Sequence, residues 1–244
     1  MCGRYAITLP PEAVRAYFAF VEHPNFPPRF NIAPTQPIPV VVADPQSAGG
    51  ARHFVLMRWG FLPGFVKNPK DFPLIVNARA ETLAEKPSYR AALKRRRCLV
   101  IADGFYEWRK NPGAGGRRQP ARRPYLVRGA NGGPMGFAGL YETWSDPSGG
   151  EIDTACIVTT AANRLVGQLH DRMPAILEPD AFAAWLDVDG VDAARALALV
   201  KPAPDGALEL VEIGPAVNRV ANDDESLQKP VGASIRAAVR ETLF

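Results

Sequence analysis

Short apolar runs broken by turn residues dominate the chain. Eight of them read as strands, by alternation or by β-branched content: RYAITL (4–9), IPVVVA (38–43), HFVLMRW (53–59), CLVIAD (98–103), FYEWRK (105–110), PYLVR (124–128), MGFAGLYE (135–142) and TACIVTT (154–160). Between them, ADPQSAGGAR, KNPGAGGRRQPARRP, GANGGP and SDPSGG supply the Gly, Pro, Asn and Asp of turns and loops. Short strands at this spacing predict a meandering, largely antiparallel sheet system, closed or nearly closed.

Helical periodicity is confined to a few segments. PPEAVRAYFAF (10–20) opens on prolines, which the first turn tolerates. AETLAEKPSYRAALKRR (80–96) reads as one or two short helices split at Pro87. PDAFAAWL (179–186), VDAARALALV (191–200) and ASIRAAVRETL (233–243) are the remaining candidates. No internal repeat and no clean linker interrupts the pattern, and sheet elements are expected to extend beyond residue 210. The expected architecture is one α+β domain over residues 1–230, with a barrel-like β core and peripheral helices, followed by a helical tail over 231–244.

Composition adds limits. The chain has 244 residues, of which 47% are apolar, enough to build a core without covalent staples. A net charge of +4 permits a polyanionic partner without demanding one. The three cysteines, Cys2, Cys98 and Cys156, are too few and too widely spaced for a disulfide framework or a zinc site. No metal or cofactor is expected, and a reducing compartment fits best. Cys98 and Cys156 lie inside apolar runs and read as inert core residues. No secretory signal and no run of membrane-spanning length is visible, so a soluble, cytoplasmic or nucleoid-associated protein is expected, with no membrane partner.

The candidate chemistry starts at MCGRYA. Removal of Met1 would leave a primary amine and a thiol on adjacent carbons of Cys2. An α-amine titrates near pH ~8, so a useful fraction is neutral at pH 7. A neutral amine attacks aldehydes to give a Schiff base, and the neighbouring thiol can close a thiazolidine ring on the same carbon. The same geometry also suits an N-terminal-nucleophile hydrolase, with the thiol attacking an amide.

Three further stretches stand out. In VNARAET (76–82), Asn77, Arg79 and Glu81 alternate with small residues and would share one face of a strand. In ADGFYEWRK (102–110), Glu107 sits between Tyr106 and Trp108, where partial desolvation suits a carboxylate to acid–base work. In QLHDRMPAIL (168–177), His170 follows a predicted short helix and precedes Asp171 and Arg172. An imidazole there can shuttle a proton or stabilise an oxyanion. His23 and His53 read as structural. Basic residues cluster at Lys94–Arg97 and at Arg117, Arg118, Arg122 and Arg123, a pattern suited to a phosphodiester backbone.

Taken in order, MCGRYA, NIAPTQ (31–36), RWGFLPGF (58–65), VNARAET, ADGFYEW, VTTAAN (158–163) and LHDRMPAIL resemble the SRAP family, the SOS response-associated peptidases, over residues 2–230. The resemblance implies one α+β domain around a barrel-like core. It implies recognition of abasic sites in single-stranded DNA as part of the DNA damage response. It also implies self-removal of the initiator methionine and a thiazolidine DNA–protein crosslink at Cys2. By the same resemblance, Cys2 supplies amine and thiol, and Glu107 is the general acid–base. His170 serves the opened sugar oxygen, and Asn77 holds Cys2 or the sugar. Arg4, Arg79 and Arg172 would ligate phosphates. Trp108, Asn31 and Pro34 would line the DNA groove, with Thr159 or Thr160 donating nearby.

Two departures from the family pattern are visible. Phe65 and Val66 stand where the family leads one to expect tryptophan; Phe65 is still expected to wedge against a base of the DNA, with less stacking area than an indole, and Val66 offers no flat face. In VNRVANDDESL (217–227) two aspartates are expected to weaken an electropositive groove. Two rivals share some of these features: a class II glutamine amidotransferase-like amidohydrolase, which also begins Met-Cys-Gly, and a non-covalent single-stranded DNA-binding module. A monomer is expected.

Overall fold

The computed structural model describes residues 2–44, 50–110, 122–146 and 148–237. The elements run β1 (Tyr5–Ile7), α1 (Pro11–Phe18), β2 (Arg29–Ile32), β3 (Pro37–Ala43), β4 (Arg52–Trp59), β5 (Asn77–Arg79) and α2 (Pro87–Arg95). There follow β6 (Arg97–Ala102), β7 (Gly104–Lys110), β8 (Arg122–Gly129), β9 (Met135–Ser145), β10 (Glu151–Ala161), β11 (Arg172–Pro174) and β12 (Ile176–Leu177). The chain ends in α3 (Pro179–Leu186), α4 (Ala193–Ala198), β13 (Leu208–Glu212) and β14 (Ile235–Arg236).

Five strands close on themselves. β3 pairs antiparallel with β4 and β6, β6 with β9, and β9 with β10. β10 returns to β4 in parallel, with Thr154 beside Arg58 and Ala155 beside Trp59. The ring is therefore a barrel without free edges, antiparallel at every joint but one. A second, six-stranded sheet runs β14-β13-β8-β7-β1-β2. Its inner face shares the barrel's core, where Tyr5 meets Trp59 edge-on with ring centroids 5.3 Å apart. Its outer face buries a small cluster of Ala6, Tyr106, Leu126, Val211, Ile213 and Val217, with Trp108 packed on it.

Asp103 fixes the corner between β6 and β7. Its carboxylate accepts from the backbone N–H of Thr8 and Leu9 and from the Thr8 hydroxyl, pinning the end of β1. This explains why β1 stops at Ile7 although the apolar run extends to Leu9. Proline stands at or next to the first position of α1, α2 and α3, where a missing N–H costs nothing. α1 and α3 meet through Phe18 and Phe182, stacked at 5.4 Å. Gly136 is required there, because a Cβ would lie 2.7 Å from the Phe182 ring.

Three expectations are corrected. Glu81 does not share a strand face with Asn77 and Arg79, because the chain turns into a 3-10 helix at Ala80–Thr82. Arg97 does not belong to a basic surface. It is buried, and its guanidinium donates to the carbonyls of Leu93, Trp185, Asp187 and Val191. The tail, where described, is the short strand β14 on β13 instead of a helix, and residues 238–244 lie outside the described residues. Arg117 and Arg118 also lie outside them, while Arg122 and Arg123 open β8. Among the described residues no helix is long and apolar enough to cross a membrane, and no His/Cys/Asp/Glu group is arranged to hold a metal.

Candidate functional site

Cys2 lies inside the protein, with 0% exposure. Its thiol points at the Arg4 carbonyl at 3.8 Å, and the same carbonyl accepts from the Tyr106 N–H at 3.0 Å. The Cys2 carbonyl accepts from Asn77 Nδ2 at 2.8 Å. Asn77 is held in turn by β5, whose strand partner is β10, with Asn77 beside Ile157. The Trp59 indole locks the preceding residue by donating to the Val76 carbonyl at 2.9 Å. Asn77 Oδ1 is buried and takes no hydrogen bond among the described residues, which leaves an acceptor beside Cys2.

Glu107 completes this inner group. Alternation along β7 sends Phe105 and Glu107 to one side and Tyr106 and Trp108 to the other. Glu107 is only 4% exposed, so a position that composition alone would place in solvent is inside. Burial pushes the Cys2 thiol well above the usual thiol range, and the negative charge of Glu107 pushes it further. The thiol is therefore held protonated at neutral pH, next to a carboxylate.

A second group stands on the β10–β11 edge. The β5–β10–β11 register sets Arg79 beside Thr159 and Arg172 beside Ala161. Arg172 forms a two-pronged ion pair with Glu81 and donates to the Thr159 carbonyl at 2.6 Å. Thr159 is fully buried, and its hydroxyl bonds the Ala78 carbonyl at 3.4 Å. Both predicted ligands are thus tied into the wall, and Arg79 is the exposed cation of the group. His170 is half-buried just before β11. Its Nδ1 lies 2.9 Å from the Arg172 N–H and 2.8 Å from Asp171 Oδ1. The Arg172 N–H donates to Nδ1, while the Asp171 carboxylate on the same nitrogen can only accept, so the two contacts call for opposite placements of the ring proton. The Asp171 side chain is 88% exposed and free to leave.

A third group gathers on residues 217–223. Arg4 Nη1 donates to Asn31 Oδ1 at 2.7 Å and to the Val217 carbonyl at 2.8 Å. Asn31 is buried, and its Nδ2 donates to the carbonyls of Val217, Arg219 and Asn222. Its amide is consumed inside the protein, so it braces a wall instead of lining a groove. Trp108 Nε1 donates to Asn218 Oδ1 at 2.7 Å. Asp223, expected to weaken a basic groove, accepts from the backbone N–H of Phe30 and Asn31 and so fastens β2. Asn218 and Glu81 are the partners that residue-by-residue reading missed. Each lay within a quoted stretch, but only the fold reveals what it touches.

Phe65 and Pro34 lie apart from these groups. Phe65 is 62% exposed and meets Phe72 edge-on at 6.2 Å. Val66 is buried beneath it, with its carbonyl accepting from Trp144 Nε1. Pro34 sits in a tight turn with Thr35, whose φ of 75° is unusual for a β-branched residue.

The fold and site define a single α+β protein whose barrel wall encloses a cysteine at position 2, held by an asparagine beside a buried glutamate. Residues 1–220 match the family described as SOS response associated peptidase (SRAP), and the chain belongs to it. It is 33% identical over 231 residues to the abasic site processing protein YoqW of Bacillus subtilis, covering 93% of this chain and 98% of that one. It is 32% identical over 238 residues to the abasic site processing protein HMCES of Xenopus tropicalis, covering 83% and 70%. A crystal structure of a protein from Bacteroides thetaiotaomicron superposes with a TM-score of 0.81 at 24% identity, covering 94% and 99%, and shares the fold.

Proposed function

We propose that this protein processes abasic sites in single-stranded DNA, and that it does so covalently through Cys2. The names of its relatives support the substrate class. The chemistry is carried by one observation: Asn77 grips the Cys2 carbonyl at 2.8 Å, and the buried Glu107 lies close enough for its charge to act on the Cys2 thiol. Residue 2 is thereby placed with its backbone fixed and its thiol beside a carboxylate.

The reaction balances without a cofactor. Hydrolysis of the Met1–Cys2 bond, for which Glu107 serves as acid–base, frees the α-amine. The amine adds to C1 of the ring-opened sugar, and loss of one water gives an imine. The sulfur then adds to the imine carbon, and the thiol proton ends on nitrogen. A thiol held protonated cannot attack unaided, so ring closure needs a base at the sulfur, and Glu107 is the carboxylate whose charge the thiol feels. His170 serves the opened sugar oxygen as a proton donor or hydrogen-bond partner. Arg79 takes an adjacent phosphate.

Intact-protein mass spectrometry tests this. The protein is weighed before and after incubation with a single-stranded oligonucleotide bearing one abasic site. Loss of the Met1 mass, then a denaturation-resistant adduct absent from Cys2→Ala, is expected. A processed protein that forms no adduct would overturn the covalent reading.

A further inference from the structure

The exposed face of α2 carries a stripe that the site does not use. Lys86, Arg90 and Lys94 follow one another at a spacing of four, and Arg95 stands beside the last. All four are exposed, while Tyr89, Ala92 and Leu93 face the core. Residues four apart share one face of a helix, so the row runs along it for roughly 12 Å.

Helix stability does not explain the stripe. Like charges at this spacing repel across a helix. The macrodipole favours cations at the C-terminal end, which accounts for Lys94 and Arg95. It disfavours Lys86 at the N-cap and Arg90 in the first turn. Ion pairing does not explain it either. Among the described residues none of the four forms a salt bridge, whereas Arg96, next along the chain, pairs with Glu142 at 2.8 Å. The nearby Glu81 is committed to Arg172. Arg90, Lys94 and Arg95 also line a shallow depression of about 350 Å³ with Pro87 and Ala91.

The stripe is fastened to the site wall. Arg79, the exposed cation of the site, is separated from Lys86 by the 3-10 turn and a short connection braced by the Lys86 N–H on the Thr82 carbonyl. Tyr89 of α2 packs on Phe61 at 5.9 Å, and Phe61 bridges to Ile75, two residues before Asn77. A polyanion leaving the site past Arg79 thus meets a row of unpaired cations on a rigid element.

We propose that the Lys86–Arg90–Lys94 stripe, with Arg95, is a second contact surface for the phosphodiester backbone, engaging the DNA strand that flanks the lesion. This rests on the reading of the site given above. It predicts affinity that grows with strand length, since only a longer strand reaches α2.

The test uses fluorescence anisotropy with single strands centred on a tetrahydrofuran abasic analogue, which lacks the aldehyde and binds reversibly. Strands of about five and about 20 nucleotides are compared, bracketing the length one such groove holds. Wild type is compared with Lys86→Gln/Arg90→Gln/Lys94→Gln, since glutamine keeps helix propensity. The variant is expected to lose about ten-fold affinity for the long strand, to lower its salt slope by about 2, and to bind the short strand as wild type does. Equal loss on both strands would reveal a general charge effect and overturn the stripe. Unchanged binding of the long strand would overturn it while leaving the site reading intact. A wild-type protein that retains neither strand would overturn both.

Discussion

Arg172 and Glu81 face each other in a bidentate ion pair, Nη1 to Oε1 at 2.7 Å and Nη2 to Oε2 at 2.8 Å. Arg172 holds the carboxyl of Glu81 below its usual range. A phosphate reaching Arg172 must therefore displace a carboxylate, whereas Arg79 is exposed and forms no salt bridge among the described residues. Glu81→Gln removes the competitor and leaves the shape. It is expected to tighten reversible binding of an abasic-analogue strand several-fold and to steepen the salt slope by about 0.7, one phosphate's worth. Weaker binding in the same anisotropy titration would mean that Glu81 aims Arg172 at DNA and does not compete with it.

The buried thiols set an alkaline limit on stability. Burial raises the pKa of Cys2, Cys98 and Cys156, that of Cys156 to about 12. In the unfolded chain each titrates near ~8.5. Above that pH the unfolded state sheds protons that the folded state keeps, so folding stability falls as pH rises. The stability is fully present below about pH 8 and declines from there by about 1.4 kcal/mol per unit for each such thiol. Urea unfolding at pH 8 and pH 9.5 measures this, and Cys98→Ala/Cys156→Ala should flatten the slope. Native Cys98 and Cys156 should also resist iodoacetamide at pH 9 that labels them readily in urea. Equal labelling rates would contradict their burial.

Arg97 holds the barrel to the helices behind it. Its guanidinium donates to four carbonyls and lies 5.9 Å from the Trp185 ring centre. Lysine lacks the fork that reaches all four. Arg97→Ala strands those carbonyls and is expected to cost about 3–5 kcal/mol, lowering Tm by on the order of 10 °C in a thermal melt. Arg95→Ala, two residues away and exposed, should leave Tm nearly unchanged.

The contrast between Arg95 and Arg97 shows where sequence reading stops. Both sit in one basic run, and nothing local distinguishes a solvent cation from one buried against carbonyls some 90 residues away. Each of the eight runs read as strands is a strand, because alternation and β-branching are local properties. β13 falls where sheet was expected beyond residue 210, but its bounds were not legible, because its Glu209 is buried between Arg128 and Arg236, partners 81 and 27 residues distant. β14 is two residues long and exists only as the partner of β13. At the candidate site, Cys2, Asn77 and Glu107 were singled out in the sequence, and the fold brings Asn77 onto Cys2 and buries Glu107. That Asn31 and Thr159 spend their polar groups on neighbouring carbonyls was not, because type and spacing say nothing about which groups are already taken.

The parallel joint of the barrel bears on the order in which the molecule can assemble. Arg58 meets Thr154 there, across a gap of nearly a hundred residues, and β5 has β10 as its strand partner. Contacts so distant along the chain form late, because the connecting segment must be ordered before they repay its entropy. Asn77 thus has no fixed place until β10 arrives, and Cys2 has no grip until Asn77 is set. A chain that is still collapsing carries Cys2 but not the contact that fixes it, so the chemistry proposed for Cys2 waits for the completed fold.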